Sequence, residues 1–390
     1  MKKISVLFLI LSLAFSLCTQ VYANNQTKNK AETEAAIDSS LVKSAILMEA
    51  ETGEIIYAQD ENEKLIPASV TKIMTLLLTA EALSDERIKL TDEVRISEYA
   101  ASMGGSQVFL KEGETISVEE LLKCTIIASA NDAAVALAEL VAGNETAFVS
   151  LMNKKAKMLG MENTIFENVT GLDDTTENHV TSALDIALMS RELIKHEIIL
   201  KYSSVWQDSI RNGEFTLTNT NRLVRFYDGC NGLKTGSTAK AGYCMSATAK
   251  RGDMQLIAVV MGAQTRDDRN ETARNLLDYG FANYGIFKND EMPVENVKVR
   301  CGVKNDVMLY EGKFFKLIPK ADLSNVEKIY TIPESISAPI NEDEEIGKVE
   351  YLLNGEKIGQ TKIFSKESIK KICFWRLFGR ILYDVLASKK

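Results

Sequence analysis

The sequence predicts an α+β protein: an antiparallel sheet flanked by helices with an all-helical region inserted, then a small all-β domain and a C-terminal amphipathic helix. Three observations predict it. Strand-like segments at 44–58 and again after 214 bracket a mainly helical stretch, so a sheet is opened, interrupted and completed. After about Asp290 the pattern turns to short alternating strands. From Lys366 onward apolar residues recur at helical spacing. A chain of 390 residues accommodates two folded units.

In chain order, Lys2 and Lys3 precede an apolar run, Ile4 to Leu17, and Val21-Tyr22-Ala23 places small residues at −3 and −1 of a cleavage site after Ala23. The run is short for a membrane span, and Leu17 before Cys18 argues against a lipoprotein. Residues 24–40 are polar and read as a flexible leader. Ser44 to Ala50 and Ile55 to Ala58 form a hairpin around Glu51-Thr52-Gly53-Glu54. Pro67 then starts a buried helix through Met74, Leu76, Leu77, Leu78 and Ala80. Further helices are expected over Val118 to Ala128, from a cap at Asn131-Asp132 to Gly143, over Ala147 to Met158 and over Ser182 to Ile194. Glu214 to Thr218 alternates, Leu233 leads a strand into Lys234-Thr235-Gly236, and Gly242 to Thr248 pairs with Gln255 to Gly262 across the turn Arg251-Gly252-Asp253. A closing helix is expected over Arg274 to Tyr284, and Asn354-Gly355 marks a hairpin in the β domain.

Composition narrows the chemistry. The formal charge of −8, which becomes −10 without Lys2 and Lys3, disfavours nucleic-acid binding. In the tail, Phe374, Phe378, Ile381, Leu382 and Val385 share a face, and seven Lys or Arg against two acids give 366–390 a charge of +5. A basic amphipathic helix on an acidic protein reads as a membrane-surface anchor. No cysteine spacing resembles a zinc site, and Cys230 and Cys244 are the pair whose proximity the sequence leaves open. The two histidines, His179 and His196, read as a structural hydrogen-bonding residue and a helix-end residue, so no metal site and no cofactor is expected. With so little histidine, nucleophilic catalysis would use a lysine base.

Ser69 and Lys72 stand at i and i+3, on one face of the predicted helix start. A hydroxyl becomes nucleophilic when a base takes its proton, and a desolvated lysine is such a base. The helix N-terminus favours an oxyanion. Ser129-Ala130-Asn131 and Lys234-Thr235-Gly236 follow in order. Each motif alone reads as a cap, a solvated lysine or a strand end; the three together form the Ser-x-x-Lys, Ser-x-Asn and Lys-Thr-Gly set of active-site serine enzymes that recognise penicillin.

The chain resembles the D-alanyl-D-alanine carboxypeptidases, the serine-type low-molecular-mass penicillin-binding proteins, over nearly its whole length. Besides the three motifs, the resemblance rests on Asn168-Val169-Thr170-Gly171-Leu172, the block from Gly232 to Tyr243, the export signal, the β domain and the amphipathic tail. It implies a β-lactamase/transpeptidase-like fold and an organisation of signal peptide 1–23, leader 24–40, peptidase domain 41–288, β-rich domain 291–365 and anchor helix 366–390. Ser69 would attack the carbonyl between two terminal D-alanines of a peptidoglycan stem peptide. Lys72 would take its proton, and Ser129 would relay one to the leaving amine. Asn131 would bind the substrate amide, and Lys234 and Thr235 its carboxylate. Gly236 would let substrate approach the strand edge, and the N–H groups of Ser69 and Ser237 would form the oxyanion hole. β-Lactam antibiotics would acylate the same serine, on the outer face of the cytoplasmic membrane.

The alternatives are a D-alanyl-D-alanine endopeptidase, a class A β-lactamase and a non-catalytic wall-binding scaffold. The chain has no Glu-x-x-Leu-Asn segment of the lactamase kind between the second and third motifs. Ser237 stands where several relatives have a bulkier residue, and Arg222 is read as a solvated surface residue with a second possible role near the substrate carboxylate.

Overall fold

The computed structural model describes residues 39–174, 176–375 and 378–379. The expected signal peptide, the leader up to residue 38 and most of the tail helix lie outside the described residues. The chain forms two compact units divided between Ala282 and Asn283.

In the first unit, β1 (Ser44–Glu49) and β2 (Ile55–Gln59) form the expected hairpin. Then come helices α1 (Lys72–Ser84), α2 (Val118–Ile127), α3 (Asn131–Ala142), α4 (Glu145–Met158) and α5 (Ala183–Leu193). The chain returns to the sheet with β3 (Cys230–Thr238), β4 (Gly242–Arg251) and β5 (Met254–Ala263), and α6 (Arg266–Asn283) follows. The sheet order is β2-β1-β5-β4-β3, antiparallel throughout, so late strands complete what the first hairpin opened.

Residues of β1 are buried on both faces. Ile46, Met48, Ile257, Val259 and Met261 join the core formed with the helices α1 to α5. Leu47 and Leu256 point the other way, against Gly280 of α6, where a β-carbon would come within 2.5 Å of Leu256 Cδ1. This two-residue alternation explains why the sheet is covered on both sides although it is antiparallel.

Helix ends follow side-chain chemistry. Ser117 Oγ accepts from Glu120 N–H to cap α2 and donates to the Glu120 carboxylate, Asn144 accepts from Ala147 N–H to cap α4, and Ser182 accepts from Asp185 N–H to cap α5. Gly143, with φ +84°, closes α3 as expected. The other end of α3 corrects the sequence reading. Ala130 is the N-cap, and Asn131 and Asp132 are the first helical residues, their side chains spent on the 104–110 loop instead. The helix α6 begins earlier than expected, because Thr265 and Asp268 cap one another's N–H groups and start it at Arg266.

Residues 284–288, expected within the first domain, belong to the second unit: Tyr284–Asn289 pairs antiparallel with Phe314–Pro319. A six-stranded sheet makes up most of this unit, with a core that includes Val307, Leu309, Val349, Tyr351 and Ile363. Asn354 (φ +52°) and Gly355 (φ +80°) turn its hairpin between Glu345–Leu353 and Glu356–Ser365, the left-handed pair that a tight two-residue turn requires. Cys124, Cys230, Cys244, Cys301 and Cys373 are free thiols. Cys230 and Cys244 are not close: the first stands opposite Ala249 and the second opposite Gly236 along the same strand pair. No single helix among the described residues is long and apolar enough to cross a membrane.

Candidate active site

Ser69 does not lie in the α-helix itself. Ala68–Thr71 forms a 3-10 turn behind Pro67, and α1 begins at Lys72. In a 3-10 turn residues i and i+3 eclipse, which brings Ser69 and Lys72 closer to one line than an α-turn would. The turn is shaped by Ala68, fully buried with φ +49°, an unfavourable value for a residue with a β-carbon.

The segment Asn168 to Leu172 braces this turn. Asn168 Oδ1 accepts from the N–H groups of Thr170 (3.1 Å) and Gly171 (2.7 Å), folding the segment tightly. Its carbonyls then meet α1: Thr75 Oγ1 donates to Val169 O at 2.7 Å and Lys72 Nζ to Thr170 O at 2.9 Å. Gly171 is needed twice over, by its φ of +81° and because a β-carbon would sit 1.8 Å from Ala68 O. His179 has the structural role read from sequence. Its Nδ1 accepts from Glu167 N–H, so Nε2 carries the proton and donates to Thr71 Oγ1 at 2.8 Å. Burial pushes its pKa down to about 4, so the ring is neutral.

Lys72 Nζ lies 3.0 Å from Ser69 Oγ, and the lysine is completely buried while the serine is half-exposed. Burial, and then the positive charge of Lys234, hold the Lys72 pKa well below the usual lysine range; Asp132 pulls it the other way. Ser129, with φ +62°, leads into α3 and receives a hydrogen bond from Lys234 Nζ at 2.6 Å. Asn131 donates Nδ2 to Gly104 O at 2.7 Å, while its Oδ1 is buried without a hydrogen-bond partner.

Lys234, Thr235 and Gly236 are buried on β3, at the edge of the sheet. Burial first, and Arg269 second, bring the Lys234 pKa down to about 7. Thr235 Oγ1 donates to Thr220 Oγ1 at 2.8 Å. Gly236 packs directly on the Ser69 turn: a β-carbon there would meet Ser69 N at 2.8 Å, Pro67 O at 2.9 Å and Val70 N at 2.9 Å. Ser237 is exposed at the end of the strand. The structure therefore joins Ser69 to Lys72, Ser129 to Lys234, and Gly236 to the Ser69 turn.

Sequence reasoning missed two contributors. Arg269 is a buried guanidinium of α6, 6.0 Å from the Tyr243 ring centroid and hydrogen-bonded to Asn270 Oδ1. It lies in a run so polar that nothing marks it as buried. Thr220 was passed over for its neighbour Arg222, which is exposed. Among the described residues no group of His, Cys, Asp and Glu could hold a metal ion.

Residues 28–265 match the family described as D-alanyl-D-alanine carboxypeptidase. The chain belongs to the D-alanyl-D-alanine carboxypeptidase family. Residues 281–371 match a second family, the C-terminal domain of penicillin-binding protein 5. Among carboxypeptidases of this family, the chain is 41% identical to D-alanyl-D-alanine carboxypeptidase DacF of Bacillus subtilis, over 98% of this chain and 99% of that one. It is 37% identical to DacC of Escherichia coli, over 88% and 87%. Penicillin-binding protein 5 of Haemophilus influenzae superimposes with a TM-score of 0.73 at 34% identity, covering 85% of this chain and 98% of that structure. Penicillin-binding protein D2 of Listeria monocytogenes, solved with ampicillin bound, superimposes at 0.57 and 31% identity over 62% of this chain and 97% of that structure. The carboxypeptidase family and the α+β fold with its added β domain are those expected from the sequence.

Proposed function

We propose that this family member hydrolyses the terminal D-Ala-D-Ala bond of peptidoglycan stem peptides through an acyl-enzyme on Ser69. The observation that carries the reading is the 3.0 Å contact between Ser69 Oγ and a buried Lys72 amine whose pKa is driven down. A neutral Lys72 accepts the hydroxyl proton as Ser69 Oγ bonds to the carbonyl carbon. The tetrahedral oxyanion is met by the N–H groups of Ser69 and Ser237. Collapse breaks the C–N bond, and a proton passes through Ser129, which is hydrogen-bonded to Lys234, to the departing D-alanine amine. Water then attacks the ester carbonyl as its proton passes to Lys72, the C–Oγ bond breaks, and Lys72 returns the proton to Ser69 Oγ while the shortened peptide leaves as a carboxylate.

Substrate recognition uses the remaining groups. The unpartnered Asn131 Oδ1 accepts from a substrate amide N–H, and an acceptor buried without a partner is costly until such a donor arrives. Lys234 and, at longer range, Arg269 supply positive potential for the terminal carboxylate, and the Thr235 hydroxyl turns from Thr220 to donate to it. Gly236 lets the strand edge, along which the peptide would lie, approach the Ser69 turn. β-Lactams enter as mimics of the dipeptide and remain on Ser69 longer. The lack of a Glu-x-x-Leu-Asn segment between the second and third motifs favours slow over rapid release of a β-lactam.

The protein acts outside the cytoplasm, its signal peptide removed after Ala23, with the basic amphipathic segment 366–390 resting on the membrane surface. Phe374, Trp375 and Phe378 are exposed, in keeping with an apolar face that has a lipid partner. The test is incubation with a pentapeptide ending in D-Ala-D-Ala, scored by free D-alanine. The unsubstituted protein releases it and S69A does not. Rapid turnover of penicillin would make the protein a lactamase instead, and an S69A protein still labelled by fluorescent penicillin would refute the nucleophile.

A further inference from the structure

The residue after Asn131 is a buried acid to which the reaction above gives no task. Asp132 is completely buried in the first turn of α3. Its carboxylate accepts from Val108 N–H at 3.1 Å, Leu110 N–H at 3.1 Å and Ala133 N–H at 2.9 Å. Two of these donors lie more than twenty residues away, on the loop that follows Gly104. A carboxylate is suited to that task because it accepts at both oxygens and donates at neither.

The same loop holds Asn131. Gly104 O accepts from Asn131 Nδ2 and Ser106 O from Asn131 N–H, each at 2.7 Å. Gly105 is so close that a β-carbon there would lie 2.9 Å from Asn131 Nδ2. On its far side the loop is gripped by Arg211, whose guanidinium donates to Val108 O (3.1 Å) and Phe109 O (3.3 Å) and pairs with Glu114. Between these clamps Phe109 is forced to φ +58°, a value an aromatic residue adopts only when its surroundings impose it. The loop is thus tied by its N–H groups to Asp132 and by its carbonyls to Arg211, and between Gly104 and Ser106 it fixes the one catalytic-site amide whose Oδ1 is open.

Asp132 also acts through its charge. Lys234 from β3 and Asp132 from α3 are the charges that act on Lys72, with opposite signs. The charge of Asp132 is also felt by the Cys124 thiol on α2 and by Arg211. His179, below Thr71, is neutral.

We propose that Asp132 is a positioning residue for acylation: its buried carboxylate ties the 104–110 loop to α3 so that Asn131 is fixed to meet the substrate amide. This rests on the Ser69 reading above and extends it. In D132N one carboxylate oxygen becomes an N–H2 group, which faces the loop's N–H groups as a second donor and releases that end of the loop. The loss of charge disfavours the Lys72 ammonium, so Lys72 loses its proton at lower pH.

The experiment is the second-order rate of acylation by a fluorescent penicillin from pH 5 to 10, with unfolding temperature as a control, for the unsubstituted protein, S69A, D132N and R211Q. D132N should be acylated about tenfold more slowly at neutral pH, with the acid limb of its profile moved to lower pH. R211Q, which frees only the carbonyl side of the loop, should lose about threefold with the acid limb in place. A folded D132N with an unaltered rate and an unmoved acid limb overturns the proposal. So does a loss of rate with no movement of that limb, which a merely structural residue would give. If D132N does not fold, R211Q decides for the loop: a threefold loss at unchanged unfolding temperature supports it, and an unaltered rate overturns it. Failure of the unsubstituted protein to be acylated would overturn the Ser69 reading itself, and Asp132 with it.

Discussion

Substituting Gly236 by alanine should slow acylation more than it destabilises the protein. The added β-carbon would lie 2.8 to 2.9 Å from Ser69 N, Pro67 O and Val70 N, all backbone atoms of the nucleophile turn, where ordinary contact starts at 3.4 Å. The strand edge and the turn must therefore separate by about 0.6 Å, since none of the three atoms belongs to a side chain that could rotate away. An ångström of misplacement between reacting groups costs on the order of 100-fold in rate, so this separation should cost about tenfold or more. Overpacking of this kind costs about 1–3 kcal/mol of stability, leaving most of the protein folded at 25 °C. The assay is stopped-flow acylation by fluorescent penicillin, with thermal unfolding in parallel. G236A acylated within twofold of the unsubstituted rate, at an unaltered unfolding temperature, would refute the claim that β3 and the Ser69 turn are held at their closest possible approach.

Other expectations follow from the same geometry. Because the free Lys234 ammonium titrates near pH 7, kcat/KM for a peptide ending in a carboxylate should fall as pH rises through that region; R269M removes a repelling charge and should move this limb to higher pH in a pH–rate profile. The unfolded chain keeps Lys234 protonated up to the ordinary lysine range, so it binds more protons than the folded chain above pH 7. Stability should therefore rise with pH from about 7 upward, and K234M should flatten that slope in thermal melts. G171A places a β-carbon 1.8 Å from Ala68 O at φ +81° and should cost more than about 3 kcal/mol, read as loss of soluble protein or a fall in melting temperature of at least about six degrees. Deleting residues 366–390 should release active protein from membranes on sedimentation, and a truncated protein that stays bound would place the anchor elsewhere.

What the sequence disclosed and what it hid divide along physical lines. The Ser69–Lys72 contact was legible because i, i+3 residues share a face in either kind of helical turn. The turn at Asn354-Gly355 was legible because few other residues accept two successive left-handed conformations. The burial of Arg269 and the start of α6 were not, since a helix packed through Gly280, Leu276 and Leu277 near its end carries little apolar signal in its first turns. Asn131-Asp132 looked like a cap because both side chains suit one, and only the fold brings up the distant Gly104–Leu110 loop that claims them. Residues 284–288 were assigned to the wrong unit because strand partners are set by tertiary pairing, here with Phe314–Pro319, and leave no mark on the strand's own sequence.

The proposed reaction requires that Ser69, activated by Lys72, carry the acyl group. Intact-mass spectrometry of the protein quenched within seconds of mixing with penicillin, followed by peptide mapping, tests it directly. A single adduct is expected on the peptide containing Ser69, absent in S69A and formed far more slowly in K72A. An adduct on any other residue, or one formed at an unaltered rate in K72A, would contradict it.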